Sequence, residues 1–169
     1  MKPKLTFLLA LTFLFLFSGS VYGQEEVKKD YWDNGNLKRE VPYKNGRREG
    51  LATFGWESGR KQGEVHYKNG RQDGLGRHWY ESGKKSIEIH WKDGGYDGLY
   101  TIWYESGGKQ KETHYQNGEK EGLETYWYES GIKKSTRHFK NGIENGIRKE
   151  WNNDGKKTFQ GNFVDGNEE

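Results

Sequence analysis

The sequence has no cysteine, only two prolines, and no long apolar run after Gly23. Without cysteine there is no disulfide framework, no thiol nucleophile and no thiolate metal site. Leu, Ile and Val number only 15 among the 146 residues from Gln24 onward, a scarcity that ordinarily signals disorder. An excess of one charge is lacking as well. The 169-residue chain has a formal charge of +3, but Lys2 and Lys4 fall in a leader segment, and the remainder holds 26 basic against 25 acidic residues. That near-balance argues against the basic stripe of a nucleic-acid binder. What the chain does have is glycine, 25 residues of it, and Trp, Tyr and Phe at 15%.

Met1 to Gly23 reads as a secretory signal peptide. Lys2 and Lys4 form a positive start, Leu5 to Phe17 an apolar run broken by two threonines, and Ser18 to Gly23 a cleavage region with Val21 and Gly23 at the −3 and −1 positions. The run is short for a membrane span, which needs roughly 20 helical residues, although an uncleaved anchor is the competing reading. No cysteine follows it, which excludes a lipoprotein anchor. The expectation is an exported chain beginning near Gln24, with residues 24–169 forming one repeat domain.

The organisation of that domain is written in its glycines. Gly35, Gly59, Gly83, Gly107, Gly131 and Gly155 are 24 residues apart, as are Gly46, Gly70, Gly94, Gly118, Gly142 and Gly166. A third series runs through Gly50, Gly74, Gly98, Gly122 and Gly146, so 17 of the 25 glycines keep one period without insertion or deletion. Such a period marks a repeat architecture. Each unit holds two stretches of about seven residues rich in aromatic and β-branched types, separated by turn residues. Glu-Ser-Gly triplets ending at Gly59, Gly83, Gly107 and Gly131 fit three-residue hairpin loops whose last residue is left-handed. The longer Asn-Gly-x-x-x-Gly joints, as at Asn69 to Gly74, fit the other hairpin connection. Helices are disfavoured, since each interior glycine costs about 1 kcal/mol relative to alanine. The predicted fold is all-β: an elongated, single-sheet antiparallel meander of about six hairpins. It is stabilised neighbour by neighbour, with 21 aromatics in fixed register from Gln24 onward.

A three-residue loop sets Tyr80 against Lys84 and Trp79 against Lys85. Counting outward then places Arg77 opposite Ile87 and Leu75 opposite Ile89. On this count one face collects Leu75, Trp79, Ile87, Ile89 and Trp91, joined by Leu99, Thr101, Trp103, Thr113, Tyr115, Leu123, Thr125 and Trp127. The opposite face collects His78, Tyr80, Glu88 and His90, then Tyr100, Ile102, Tyr104, Glu112 and His114. A slip of one residue would invert these faces.

The recurring Tyr-Lys-Asn-Gly-x-x-x-Gly-Leu-x-x-x-Trp-Tyr-x-x-Gly-x-Lys resembles the MORN-repeat-variant family, bacterial proteins often classed as toxin–antitoxin-type antitoxins. The resemblance is carried by Tyr67-Lys68-Asn69-Gly70 through Gly74-Leu75, by Tyr115 through Leu123, and more loosely by Phe139 through Ile147. It implies an elongated open sheet acting as a recognition scaffold without catalysis or cofactor, and a protein partner, with a lipid as the alternative. Gly55, Asn152 and Pro42 depart from the Trp, Tyr and His of their series, as terminal units often do. An antitoxin role does not follow for an exported chain, which would not meet a cytoplasmic toxin. The Trp-Tyr-x-x-x-Gly units also resemble choline- and cell-wall-binding repeats, although the linking Gly-Trp element of those repeats is missing here. This second resemblance keeps an envelope glycan as another candidate ligand.

Several series invite a chemical reading. His66, His90, His114 and His138 are 24 apart, the first three preceded two residues earlier by Glu64, Glu88 and Glu112. Equivalent strands of successive hairpins lie about 9.5 Å apart, whereas Zn–N bonds are about 2 Å, so neighbouring histidines would not share an ion. Ser58, Ser82, Ser106 and Ser130 sit in loops without a nucleophile elbow. Glu57, Glu81, Glu105 and Glu129 have identical settings that would not split their pKa values for glycoside chemistry. Asn152-Asn153-Asp154-Gly155 lacks the ligand alternation and closing Glu of a calcium loop. The candidate partner-binding residues are Tyr80, Tyr104 and Tyr128 with His90 and His114, since aromatic groups amid polar neighbours mark contact surfaces.

Overall fold

The computed structural model describes residues 23–169, so the leader reading lies outside the described residues except for Gly23. The described residues contain no helix and form a single antiparallel sheet of 15 strands. The first hairpins comprise β1 (Glu25–Tyr31), β2 (Leu37–Lys44), β3 (Arg47–Arg48), β4 (Gly50–Gly55) and β5 (Lys61–Lys68). The middle is β6 (Arg71–Trp79), β7 (Lys85–Lys92), β8 (Gly95–Trp103), β9 (Lys109–Gln116) and β10 (Glu119–Trp127). The last part is β11 (Lys133–Lys140), β12 (Ile143–Glu144), β13 (Gly146–Trp151), β14 (Lys157–Val164) and β15 (Asn167–Glu168). Neighbours in the chain are neighbours in the sheet, with the short β3 and β12 pairing beside β2 and β11. The predicted meander of hairpins is the observed one.

Both kinds of connection follow from backbone chemistry. In the Glu81-Ser82-Gly83 loop the Gly83 N–H donates to Tyr80 O at 2.8 Å and the Tyr80 N–H to Lys84 O at 2.8 Å. The other joint is tighter than the sequence suggested. Asn69 (φ 52) and Gly70 (φ 86) are both left-handed, as are Asp93 (φ 51) and Gly94 (φ 90), which is the signature of a two-residue type I′ turn. Lys68 pairs with Arg71 directly across it, and the closing glycine of the joint, Gly74, belongs to a bulge farther along the strand. All 17 periodic glycines have positive φ, and the other described glycines do not. Asp and Asn take the remaining left-handed positions, the two types best suited to them after glycine.

The predicted faces need correction. Trp79 does pair with Lys85, but the next pair is His78 with Ile87, leaving Ser86 as an extra residue. The same bulge recurs at Gln62, Gln110, Lys134 and Thr158. Arg77 therefore opposes Glu88 and Leu75 opposes His90. One inserted residue shifts the register and changes which side chains share a face.

One face is aromatic and closed. Val41, Ala52 and Val65 are buried there beneath Tyr43, Phe54, Tyr67 and Trp91. Trp91, Tyr96, Tyr100 and Tyr115 continue the stripe with ring centroids 4.4–6.1 Å apart, on the same side as Ile87, Ile89 and Ile102. Tyr100 and Ile102 thus move to this face, while Leu75, Leu99, Trp79, Trp103 and Trp127 leave it. A single sheet can bury this much because strands about 4.8 Å apart let long side chains cover one another. Glu124 lies wholly buried on this face, its Oε2 2.9 Å from Lys111 Nζ and 2.8 Å from Lys120 Nζ. Burial works against its ionisation, yet the two lysines overcome that cost and hold its pKa below the ordinary carboxylate value.

Candidate functional site

The opposite face is polar and consists of rows running across the strands. At the loop side, each strand ends in an aromatic residue that bonds to the next repeat. Tyr80 Oη donates to Trp103 O at 2.7 Å, Tyr104 Oη to Trp127 O at 2.7 Å, and Tyr128 Oη to Trp151 O at 2.9 Å. Earlier in the chain indoles do the same work: Trp32 Nε1 donates to Gly55 O at 3.0 Å and Trp56 Nε1 to Trp79 O at 3.2 Å. The candidate tyrosines are half-buried, and their hydroxyls are committed to these inter-repeat clamps.

Farther in lies a row of ion pairs. Glu64 accepts from Lys61 at 2.8 Å and Arg77 at 3.0 Å, and Glu88 accepts from Arg77 at 3.0 Å and Lys85 at 2.9 Å. Glu112 pairs with Lys109 in the next unit. Partial burial opposes ionisation of Glu64 and Glu88, but their cationic partners prevail and lower both pKa values. Thr101 is buried in the same row between Glu88 and Glu112.

Next comes the histidine row. Across the ladder, Leu51 faces His66, Leu75 faces His90, Leu99 faces His114 and Leu123 faces His138. The ring Nδ1 donates to the carbonyl nine residues on: His66 to Leu75 at 3.3 Å, His90 to Leu99 at 3.4 Å and His138 to Ile147 at 2.9 Å. A carbonyl oxygen can only accept, so Nδ1 carries a proton in these three contacts. The leucines are exposed to an unusual degree, Leu51 at 40%, Leu99 at 43%, Leu123 at 47% and Ile147 at 44%. The row runs from β4 to β13, roughly 40 Å at the usual interstrand spacing.

The tyrosines and histidines singled out in the sequence therefore do not converge. Four residues of extended strand, about 13 Å, separate the Leu75–His90 pair from Trp79 and Lys85. Among the described residues no three His, Cys, Asp or Glu side chains come together.

Sequence reasoning missed one further series. Glu49, Asp73, Asp97 and Glu121 accept the N–H of the next repeat's turn, from Asn69 at 2.6 Å, Asp93 at 3.3 Å, Asn117 at 3.2 Å and Asn141 at 2.9 Å. An acid at the repeat period was visible in the sequence, just before the closing glycine of each joint. Its partner, a backbone N–H in the turn of the following repeat, was not.

Fold and surface together define an open, single-sheet β-repeat protein: one face closed by aromatics, the other a ruled polar surface crossed by an exposed leucine–histidine row. MORN repeat variant units match residues 27–45, 72–93, 96–117 and 120–141, together just over half of the chain. The chain belongs to the MORN repeat variant family. No curated protein matches it. Repeats of this family generally mediate protein or membrane-lipid interactions. Among the described residues no helix is long and apolar enough to cross a membrane.

Proposed function

We propose that the protein is an exported, non-catalytic scaffold that recognises a protein partner through the leucine–histidine row. The observation that carries this reading is the recurrence of exposed Leu51, Leu99, Leu123 and Ile147 at equivalent places across a mainly polar face. Isolated exposed leucines are ordinary, but a file of them at the repeat period, with half-buried Leu75 between Leu51 and Leu99, marks a contact surface. Histidines alternate with the leucines, and at His66, His90 and His138 only Nδ1 is engaged by the sheet, which suits hydrogen-bonding side chains of a partner. The antitoxin role attached to many such repeats forms no part of this reading, because an exported chain does not share a compartment with a cytoplasmic toxin.

The test is affinity capture of the chain from Gln24 onward on its own envelope fraction, with bound proteins identified by mass spectrometry. Leu99→Glu combined with Leu123→Glu alters only exposed positions, so circular dichroism should stay native while the captured partner is lost. Equal capture by wild type and the double variant would remove the row from the function. Tyr104→Phe, in contrast, should capture normally.

A further inference from the structure

We propose that the loop-side border of the polar face is a binding site for a neutral linear polysaccharide, with one Trp–Lys pair for each successive pair of sugar rings. This site is separate from the leucine–histidine row and uses none of its residues. Trp79, Trp103 and Trp127 stand one per hairpin, two strands or about 9.5 Å from one to the next. A lysine sits over each indole: Lys61 at 5.3 Å, Lys85 at 4.9 Å and Lys109 at 5.9 Å. Each of these lysines is held from behind by Glu64, Glu88 or Glu112. The carbonyl of each tryptophan is fixed by the clamp from the preceding repeat, through Trp56, Tyr80 or Tyr104. At the first position a cleft of about 560 Å³ opens, lined by Arg60, Lys61, Trp79, Ser82 and Gly83.

These parts match the chemistry of a sugar. The indole face that its lysine does not cover would offer a flat apolar surface to the C–H face of a pyranose, and the ammonium–carboxylate pair beside the ring a donor and an acceptor to adjacent hydroxyls. Because the tryptophan backbone and the lysine head are already anchored, little ordering cost remains at binding. Each lysine charge is matched by a carboxylate, which favours an uncharged ligand over a polyanion. Equal slots repeated along one border favour a polymer over a single sugar, because occupancy of one slot raises the effective concentration at the next. The slot spacing is that of a disaccharide in an extended chain. Gly55 stands where the preceding repeat would carry its tryptophan, so the row begins at Trp79.

The experiment is a titration of the chain from Gln24 onward with cello-oligosaccharides and N-acetylglucosamine oligosaccharides of two, four and six sugars. Intrinsic tryptophan fluorescence and calorimetry provide the readouts. At least one neutral series should bind, with affinity rising about tenfold or more from two sugars to six as further slots fill. Trp103→Ala, which removes one of the three rings that a hexamer spans, should bring the hexamer down to about the affinity of the tetramer. Lys85→Met retains that ring and the fold and should weaken the hexamer as well, which guards against a Trp103→Ala variant that fails to fold. Three results would each overturn the proposal: no response to either series, affinity independent of chain length, or tighter binding of an acidic hexamer such as oligogalacturonate. Loss of oligosaccharide binding with retained protein capture would locate the failure here and not in the recognition row.

Discussion

Removal of the three tyrosine hydroxyls, through Tyr80→Phe, Tyr104→Phe and Tyr128→Phe, separates a structural from a ligand-binding role for these residues. Each ring stays in place, so packing is retained and only the clamp to the next repeat's carbonyl is lost. The bonds are 2.7, 2.7 and 2.9 Å long and half-buried, the range in which a neutral hydrogen bond contributes about 1 kcal/mol net. The clamps lie about 9.5 Å apart and share no partner, so their losses should add to about 3 kcal/mol. That is a large share of the roughly 5–15 kcal/mol that holds a domain together. Urea unfolding followed by circular dichroism and tryptophan fluorescence provides the measurement, and the midpoint should fall stepwise through the single, double and triple variants at constant m. A triple variant within about 0.5 kcal/mol of wild type would refute the clamp, because a hydroxyl facing water costs nothing to remove. Partner capture should be unchanged throughout, since these three hydroxyls donate to backbone carbonyls of the next repeat.

Two further outcomes follow from positions the structure distinguishes. Gly98 has φ 115 and an added Cβ would lie 3.1 Å from His90 Cβ, whereas Gly122 has φ 75 and no atom within 4 Å of that position. Gly98→Ala should therefore destabilise by about 2–3 kcal/mol and Gly122→Ala by about 1 kcal/mol, read as midpoint shifts in urea. The pH dependence follows from Glu64, Glu88 and Glu124, whose folded pKa values lie below the unfolded value. Their stabilisation is complete above about pH 4.3, the ordinary glutamate value, and is lost as pH falls through the depressed folded values. Stability measured by thermal melts should thus stay level from neutral pH to about pH 5 and decline below pH 4. Glu124→Gln should flatten part of that decline and cost about 3 kcal/mol at pH 7, because Lys111 and Lys120 lose their shared counter-charge in a buried setting. An unchanged acid limb in Glu124→Gln would show that this triad does not contribute to acid sensitivity.

The period, the class of fold, the three-residue loops and the place of every joint could be read directly from the sequence, because each depends on backbone torsions at single residues. The length of the Asn-Gly joints could not, because a two-residue turn and a longer loop both need a left-handed glycine at that point. A left-handed φ at Gly83 or Gly70 is a local requirement that glycine meets at little cost, so glycines recurring at a fixed interval announce turns at that same interval. Face membership was not legible in the same way. The three-residue loop fixed Trp79 against Lys85 correctly, but Ser86 gives no local sign that it will be left out of the ladder. The bulges at Ser86 and Gln110 moved Leu75 and Leu99 from the expected core to the polar face, opposite His90 and His114. The roles of the tyrosines were equally hidden, since Tyr104 is defined by the carbonyl of Trp127 in the next repeat, and an aromatic amid polar neighbours looks the same whether it clamps a repeat or meets a partner. Backbone conformation is set within a few residues and was carried by the sequence alone. Which side chains share a surface depends on cross-strand partners one hairpin away, and only the assembled sheet decided it.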